Sequence, residues 1–334
     1  MAEIFNHIAP PELVRTSTRE DPHEKRVNNW ITPWNGKEPF DVAILAVPFG
    51  RACLNGSSGT ALAPNAIRQA FLTNTTYSPD FDVDLQPLRV RDVGDVRLHP
   101  TDIPRCHSNM KHAAAELYEK AGEVLLVSLG GDHSISCPLL EGYCIRHPEQ
   151  KLGLIHFDAH NDVRDLEDGG PTNGTPIRGI LEGPARVEGK NIVQVGIHGF
   201  MNSFYYKMYC RDRGIRVITA RDIRKRKIQA VLEEALSVGS EGTDGIYVSV
   251  DIDVLALPYA FGAGAASPEG VDPWDLLEAM FALGRHPKVR AMDLVCIDPL
   301  RDFRDYTARM GASIILTFLG GYLLRKIGRE VDGP

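Results

Sequence analysis

The amino-acid sequence predicts an α/β fold, and two observations carry that prediction. Short apolar runs typical of buried strands alternate with longer amphipathic stretches, without an internal repeat or a low-complexity linker. The 334 residues, 43% of them hydrophobic, suffice for a substantial core. Because the chemically distinctive motifs are spread over half of the chain yet need to converge, we predict one domain over residues 41–334. Residues 1–40 are polar and proline-containing, and we predict that they form an arm packed on that domain.

The predicted elements follow one another in βα order. Buried strands are predicted over residues 41–48, 89–96, 124–129, 152–157, 191–198, 214–219, 246–254 and 289–297. A helix is predicted to begin at Pro64, which suits a first helical turn, and further helices are predicted over residues 107–122, 138–147, 232–238, 273–283 and 307–322. The Gly-rich stretch 50–59 lacks the Lys of a phosphate-binding loop, so we do not predict nucleotide binding.

Charge and composition exclude several classes of partner. A net charge of −7 disfavours nucleic acid and anionic membranes. We predict no membrane span, because no apolar stretch approaches the roughly 20 residues that one needs. The first ten residues lack the basic and apolar regions of a signal peptide. The six cysteines are irregularly spaced and read as thiols of a cytosolic protein. We therefore predict a cytoplasmic protein that binds neither nucleic acid nor membrane.

The most informative stretch is the end of the strand predicted over 152–157. Asp158, His160 and Asp162 follow it at a spacing of two, and alternate residues of an extended segment point the same way. Open α/β sheets bind ligands at the carboxyl ends of their strands. The alternative is a polar loop in which Asp and His only form turns.

Two other strand ends weaken that alternative. Gly130 and Gly131 allow a tight turn before His133, and Asp251 and Asp253 occupy one face of an apolar strand. Two neighbouring buried carboxylates repel each other unless a cation lies between them. The complete set of candidate ligands is His133, Asp158, His160, Asp162, Asp251 and Asp253. It has too many anions for one zinc ion, and its oxygen-rich composition suits manganese. The number of ligands fits two ions that share carboxylates and activate water for hydrolysis.

The three stretches resemble the signature motifs of the ureohydrolases, the family of arginases and agmatinases. The matching runs are Gly-Gly-Asp-His-Ser (130–134), Asp-Ala-His-Asn-Asp (158–162) and Ser-Val-Asp-Ile-Asp (249–253), in the same order and at similar separations. The resemblance extends from about residue 43 to residue 319. It implies a three-layer α/β/α sandwich around a mainly parallel sheet, two Mn²⁺ per subunit on those six residues, and a homo-oligomer, either a trimer or a hexamer.

Departures from the arginase pattern bear on the substrate. Arg164 stands where arginases have a small polar residue and could pair with a substrate carboxylate, or equally with Asp165 or Glu167. Asn173 replaces a His thought to shuttle protons in the family, and because Asn cannot titrate, His198 or Asp162 would take that role.

The runs 162–176 and 195–203 resemble the formimidoylglutamase branch of the family. That resemblance makes Asn202 or Tyr205 candidate contacts to a glutamate moiety. Local packing or local hydrogen bonds are the alternative for both residues.

Cys296 stands where the family usually has a Glu that pairs with a cationic guanidinium. A hydrogen bond to a charged group contributes roughly 1.5–3 kcal/mol, so its loss disfavours guanidinium substrates on the order of ten- to hundredfold. Asp298 is the candidate to compensate, and otherwise a thiol here indicates an atypical substrate.

The resemblance implies a formimidoylglutamase, which converts N-formimino-L-glutamate and water into L-glutamate and formamide in histidine degradation. Asp162 would orient the attacking water and carry its proton, and Asp251 would help to stabilise the tetrahedral intermediate. One alternative is a urea-releasing hydrolase of another guanidino acid, similar to agmatinase or guanidinobutyrase. The other is a non-catalytic, metal-binding family member, suggested by the missing His and Glu.

Overall fold

The computed structural model describes residues 4–18, 21–54, 59–185 and 187–328; part of the Gly-rich stretch, residues 55–58, lies outside the described residues. The strands are β1 Ile8–Ala9, β2 Thr32–Pro33, β3 Val42–Ala46, β4 Tyr77–Ser78, β5 Val83–Asp84, β6 Val90–Val96, β7 Leu125–Leu129, β8 Leu152–Phe157, β9 Ile192–Ile197, β10 Arg216–Thr219, β11 Gly245–Asp251 and β12 Val289–Val295. The α-helices are α1 Val27–Trp30, α2 Ala63–Ala70, α3 Ile103–Ala121, α4 Ser136–Arg146, α5 Pro176–Glu182, α6 Phe204–Asp212, α7 Ala220–Arg226, α8 Ile228–Ser240, α9 Pro273–Arg285 and α10 Tyr306–Ile327.

A central sheet organises the molecule in the order β1-β6-β3-β7-β12-β11-β8-β9-β10, with β2 also paired to β6. The pairs are parallel except β1 with β6, and β4 and β5 form a separate antiparallel hairpin. Neighbouring residues of one strand belong to different cores: Ile155 belongs to the core that contains residues of α8, α9 and α10, and Leu154 to the core that contains residues of α3 and α4. This confirms the predicted three-layer α/β/α sandwich around a mainly parallel sheet.

The topology places the candidate ligands at one edge of the sheet. Strand β11 pairs in parallel with both β8 and β12, and β12 pairs in parallel with β7. The carboxyl ends of β7, β8 and β11 therefore lie at the same edge of the sheet, with β12 between β7 and β11. His133 follows β7, Asp158 follows β8, and Asp251 ends β11.

The N-terminal residues contact the core through both backbone and side chains. Phe5, Ile8 and Trp30 are buried. The backbone N–H groups of Asn6 and His7 donate to the carboxylate of Glu116 on α3 at 2.7 and 3.0 Å. The division into an arm and a single domain stays a prediction.

Helix α10 requires a correction. Its 22 residues are long and apolar enough to cross a membrane by length and composition, so the statement that no stretch approaches that length was wrong. Two thirds (67%) of its most apolar window is nevertheless buried, and it packs against α2 and α9. Ile315 and Phe318 are fully enclosed. An apolar composition around most of its circumference is what a buried core helix needs.

Several helix boundaries differ from the sequence-based ones. Helix α3 begins at Ile103, before the predicted start at residue 107, because the Asp102 side chain caps it by accepting from Arg105 N at 2.9 Å. Helices α1, α5 and α6 were not predicted, whereas the basic run 221–227, which is typical of a solvated helix face, largely coincides with α7. Each of the three unpredicted helices is nine residues or shorter, too short for a clear helical periodicity.

Candidate metal centre

The first ligand cluster forms around His133. A Cβ on Gly131 would lie 1.7 Å from Phe49 O, so only glycine allows the tight turn that delivers His133. Nδ1 of His133 lies 3.1 Å from Asp158 Oδ2, 3.1 Å from Asp162 Oδ2 and 3.2 Å from Asp251 Oδ2. Despite this crowding, Nδ1 is buried and makes no hydrogen bond. A nitrogen lone pair facing three carboxylates at once is the arrangement of a metal-ligand set.

A second cluster shares one carboxylate with the first. Nδ1 of His160 lies 3.2 Å from Asp158 Oδ1 and 3.1 Å from Asp253 Oδ2. Asp158 therefore turns one oxygen towards each cluster. Asp251 Oδ1 accepts from the backbone N–H of Asp253 at 2.9 Å, which fixes the turn that brings both carboxylates to the centre. The structure thus brings the six sequence-predicted ligands together.

Repulsion between the buried carboxylates of the cluster favours the binding of cations. Burial, together with the nearby carboxylates of Asp253 and Asp158, raises the pKa of Asp251 well above its ordinary value. Burial also raises the pKa of Asp162, and the Asp158 carboxylate adds to that shift. Four carboxylates and two imidazoles, with one imidazole nitrogen lacking a hydrogen bond, fit two hard divalent ions such as Mn²⁺.

A buried hydrogen-bond chain orients His133 from behind. Ser249 Oγ donates to Asp293 Oδ1 at 2.7 Å, so it accepts from Nε2–H of His133 at 2.9 Å. Asp293 also accepts from the hydroxyl of Tyr247 at 2.8 Å. The proton on Nε2 leaves the Nδ1 lone pair facing the carboxylates, and such outer contacts commonly fix the tautomer of a ligating imidazole.

A pocket of about 240 Å³ opens above the ligands. His160, Asp162, Asp251 and Asp253 form its floor. Its walls come from the loops after β8 and β9 and from three other segments, and they include Leu54, Asn161, Arg164, Asn173, Gly174, Met201, Asn202, Tyr206 and Ala265.

Arg164 is the exposed cation of the pocket wall. Its guanidinium carbon lies 5.5 Å from the ring centroid of Tyr206, and Nη1 donates to the Tyr206 hydroxyl at 3.4 Å. The ion pair with Asp165 considered from the sequence does not form, because Asp165 pairs with Arg178 at 2.9 Å. Within the described ranges, no carboxylate pairs with Arg164, so its charge faces the pocket without a protein counter-ion.

Two asparagines of the wall hold loops together. Asn173 Oδ1 accepts from Leu54 N at 2.9 Å, which ties it to the loop after β3 and leaves its side-chain nitrogen for a substrate. Asn202 Oδ1 accepts from Asn161 N at 3.0 Å, and its Nδ2 donates to the carbonyls of Ala159 and His198 at 2.8 and 2.9 Å. These bonds favour the local hydrogen-bonding alternative for Asn202.

The other two candidate site residues lie outside the pocket lining. His198 Nδ1 donates to Gly196 O at 2.6 Å, while its Nε2 is buried without a hydrogen-bond partner. Cys296 lies behind the floor with its sulfur near the ligand atoms of His133 and Asp251. Burial and the carboxylates of Asp251 and Asp253 raise the pKa of this thiol well above its ordinary value. Neither geometry gives a direct contact to the pocket space.

Five buried residues with polar side chains next to the ligand clusters had no role predicted from the sequence: His156, Gln194, Tyr247, Ser249 and Asp293. For two pairs of them, the sequence holds a signal in the form of polar residues within apolar strands. Ser249 and Asp293 are polar interruptions of apolar strands and pair in register between β11 and β12. His156 stands two residues before Asp158 on one strand face, and it pairs in register with Gln194 of β9.

Comparisons with known proteins show which family and fold this chain resembles. The model of the arginase family matches residues 40–320. The formimidoylglutamase of Halalkalibacterium halodurans is 38% identical over 308 residues, covering 92% of this chain and 95% of that protein. The crystal structure of formimidoylglutamase from Bacillus subtilis superposes with a TM-score of 0.87 at 33% identity, covering 92% of this chain and 95% of that one. A Trypanosoma cruzi formiminoglutamase determined with Mn²⁺ has the same fold, with a TM-score of 0.82 at 23% identity over 90% of this chain and 99% of that one.

Proposed function

This chain belongs to the arginase family, and from that premise we propose that it is a binuclear manganese hydrolase whose substrate is N-formimino-L-glutamate. Water cleaves the bond between the formimino carbon and the glutamate nitrogen. The products are L-glutamate and formamide. The substrate is a small-molecule linear amidine that carries two carboxylates, which suits a pocket with a cationic wall above a metal-binding floor.

One observation carries the choice of substrate. The guanidinium of Arg164 lines the pocket above the ligand clusters and has no carboxylate partner among the described residues. A guanidinium that faces a pocket in this way is suited to a planar, bidentate pair with a carboxylate. The amidine end of the same molecule would then point to the floor. The formimidoylglutamases that resemble this chain support the same substrate.

When bound, two Mn²⁺ on the six ligands lower the pKa of water and polarise the amidine. Asp162 belongs both to the first ligand cluster and to the pocket floor, with its side chain 9% exposed. Its carboxylate is placed to accept a proton from the attacking water and to return it to the departing glutamate nitrogen. Both floor and wall contribute: the floor residues activate the attacking water, and Arg164 and Asn173 orient the substrate.

The other candidates for proton transfer have weaker positions. Asn173 cannot titrate. His198 lies outside the pocket lining and donates its Nδ1 proton to a backbone carbonyl. Asp162 is therefore the residue we assign to proton transfer.

We also propose that the chain works in the cytoplasm as a homo-oligomer, a trimer or a hexamer. The family resemblance supports the assembly. Light scattering coupled to size-exclusion chromatography tests it, and a monomer at micromolar concentration would reject it.

The proposed reaction is tested by incubating the Mn²⁺-loaded protein with N-formimino-L-glutamate and quantifying both products. We expect formamide and glutamate in a one-to-one ratio. Release of urea from a guanidino acid, without turnover of N-formimino-L-glutamate, would instead favour the agmatinase-like alternative. Two bound Mn²⁺ with no turnover of any amidine would favour the non-catalytic alternative.

A further inference from the structure

A buried histidine and a buried glutamine next to the ligands have no role in the reaction described above. His156 and Gln194 are both 0% exposed, in the neighbouring strands β8 and β9. Nε2 of His156 lies 2.8 Å from Oδ2 of Asp158, the carboxylate shared by the two ligand clusters. Nδ1 of His156 lies 3.2 Å from Nε2 of Gln194.

A backbone carbonyl determines which atoms donate and which accept in this series of hydrogen bonds. The side-chain nitrogen of Gln194 lies 2.6 Å from Asn161 O, which can only accept, so the amide nitrogen and not the oxygen is on that side. The remaining oxygen of Gln194 accepts from Asn161 Nδ2 at 2.8 Å, which agrees with this orientation. The orientation of the Gln194 amide is thus determined by its partners.

The tautomer of His156 follows from the same contacts. Because the Gln194 nitrogen has only protons to offer, Nδ1 of His156 has to be the acceptor. The ring proton of a neutral imidazole then lies on Nε2 and is donated to Asp158 Oδ2. One lone pair of that oxygen accepts this hydrogen bond, and the other lone pair remains for the metal position near His133.

We infer that Gln194 and His156 form a positioning relay that holds the shared carboxylate of Asp158 and the loop bearing His160 and Asp162 in one arrangement. The loop is included because Asn161 lies between those two ligands and bonds Gln194 through both its carbonyl and its side chain. The relay continues to the pocket wall, since Asn161 N donates to Asn202. Its function is to pre-organise the floor for the manganese pair, the cofactor of the proposed function on which this inference rests.

A direct ligand role is the competing possibility, because His156 Nε2 lies among the ligand atoms of the first cluster. The two roles differ in what a glutamine can replace. The amide nitrogen of Gln is placed like Nε2 of His and can donate to Asp158, but it does not act as an imidazole ligand. The variant His156→Gln therefore separates the roles, and His156→Phe removes the donor.

The experiment is a titration of each metal-free variant with Mn²⁺, read by the electron paramagnetic resonance signal of unbound Mn²⁺. The matched control for Gln194→Met is Gln150→Met, because the side chain of Gln150 accepts from the hydroxyl of Tyr143 at 2.6 Å, away from the ligand clusters. Thermal unfolding of each metal-free variant reports whether it folds.

We expect His156→Phe to weaken Mn²⁺ binding by roughly 10–100-fold, as is typical when an outer partner of a ligand is lost. His156→Gln should keep two Mn²⁺ per chain and most of the affinity. Gln194→Met should weaken binding by roughly three- to tenfold, since it frees the tautomer but leaves the imidazole, and Gln150→Met should have no effect.

Affinities within twofold of the parent for His156→Phe and Gln194→Met would overturn the relay and leave His156 as a core histidine. One Mn²⁺ per chain for His156→Gln would overturn it in favour of a direct ligand. If His156→Phe does not fold, the Mn²⁺ affinities of His156→Gln, Gln194→Met and the control Gln150→Met test the relay. No substrate enters the titration, so its failure is independent of whether formamide is produced.

Discussion

The floor and the wall of the pocket are built in different ways. The floor residues lie at or just after the ends of β8 and β11, and their side chains are at most 18% exposed: His160, Asp162, Asp251 and Asp253. The wall residues lie on the loops that follow β8 and β9, and Arg164 is exposed. Strand ends hold charged groups in place through a sheet that is itself rigid, whereas loops offer positions that change without disturbing the sheet. We therefore propose that the floor sets the chemistry of the reaction and that the wall sets the choice of substrate.

Among single substitutions, the largest effect is expected from a floor residue. Asp162 has a backbone φ of +51°, which asparagine tolerates better than alanine, so Asp162→Asn is the suitable change. Asparagine cannot carry the proton, and proton transfer contributes roughly 10²–10⁴-fold to the rate. We expect kcat to fall by about that factor, measured as formamide release.

Asp212→Ala, at an exposed position paired with Arg211, is the control and should be fully active. The metal-free Asp162→Asn protein should be at least as heat-stable as the metal-free parent, because one of several crowded carboxylates is gone. Undiminished kcat in Asp162→Asn would remove Asp162 from the mechanism.

Removal of the metal is expected to change stability as well as activity. A ligand that binds only the folded state, at about 100 times its Kd, stabilises that state by about 2.7 kcal/mol per site. We expect a chelator to abolish turnover and to lower the unfolding temperature by several degrees, measured by differential scanning calorimetry. Added Mn²⁺ should restore both. An unfolding temperature that does not respond to Mn²⁺ would show that the floor is not a metal site.

A change in the wall should act on one substrate group. For Arg164→Gln we expect kcat/KM for N-formimino-L-glutamate to fall roughly 10–100-fold, since a hydrogen bond to a charged group contributes about 1.5–3 kcal/mol. The formimino derivative of 4-aminobutyrate, which has one carboxylate fewer, identifies the carboxylate involved. If Arg164 binds the α-carboxylate, this compound should lose little further in the variant.

Arg213→Gln is the matched control, because Arg213 pairs with Glu182 away from the pocket and should leave kcat/KM unchanged. An equal loss on both compounds in Arg164→Gln would assign the α-carboxylate to another residue. No loss on either compound would mean that Arg164 does not contact the substrate.

The smallest catalytic effect is expected at Asn202, a wall residue whose polar atoms bond backbone groups. Asn202→Ala should lower the free energy of unfolding by about 1–3 kcal/mol, because buried partners lose their hydrogen bonds. Its KM should change less than that of Arg164→Gln. Chemical denaturation and steady-state kinetics test this, and a large rise in KM with unchanged stability would make Asn202 a substrate contact.

The same division explains how far the sequence could predict the site. The i, i+2 spacings of Asp158, His160 and Asp162, and of Asp251 and Asp253, indicated correctly that these side chains converge, but the predicted extended geometry was wrong. Strand β8 ends at Phe157 and β11 at Asp251, and the carboxylates of Asp158 and Asp251 accept from the backbone N–H groups of His160 and Asp253 in tight turns. No comparable spacing places Arg164 relative to Tyr206, since a loop has no period. The outer residues are intermediate cases. A polar residue within an apolar strand, such as His156, marks a buried contact, but only the neighbouring strand identifies Gln194 as its partner.

The fold was likewise predictable where periodicity is strong. The alternation of strands and helices indicated the α/β class, and the order of strands in the sheet became known only from their pairing. The membrane statement failed on helix α10 because composition alone does not distinguish a membrane span from a helix buried in protein.

The most direct measurement is a substrate panel on the Mn²⁺-loaded protein, with urea and formamide quantified in every reaction. The panel contains N-formimino-L-glutamate, arginine, agmatine and short guanidino acids. We predict formamide from N-formimino-L-glutamate and no urea from the others, because formimidoylglutamases resemble this chain over 92% of its length. Urea from a guanidino acid, with N-formimino-L-glutamate left intact, would contradict the proposed substrate while leaving the metal centre in place.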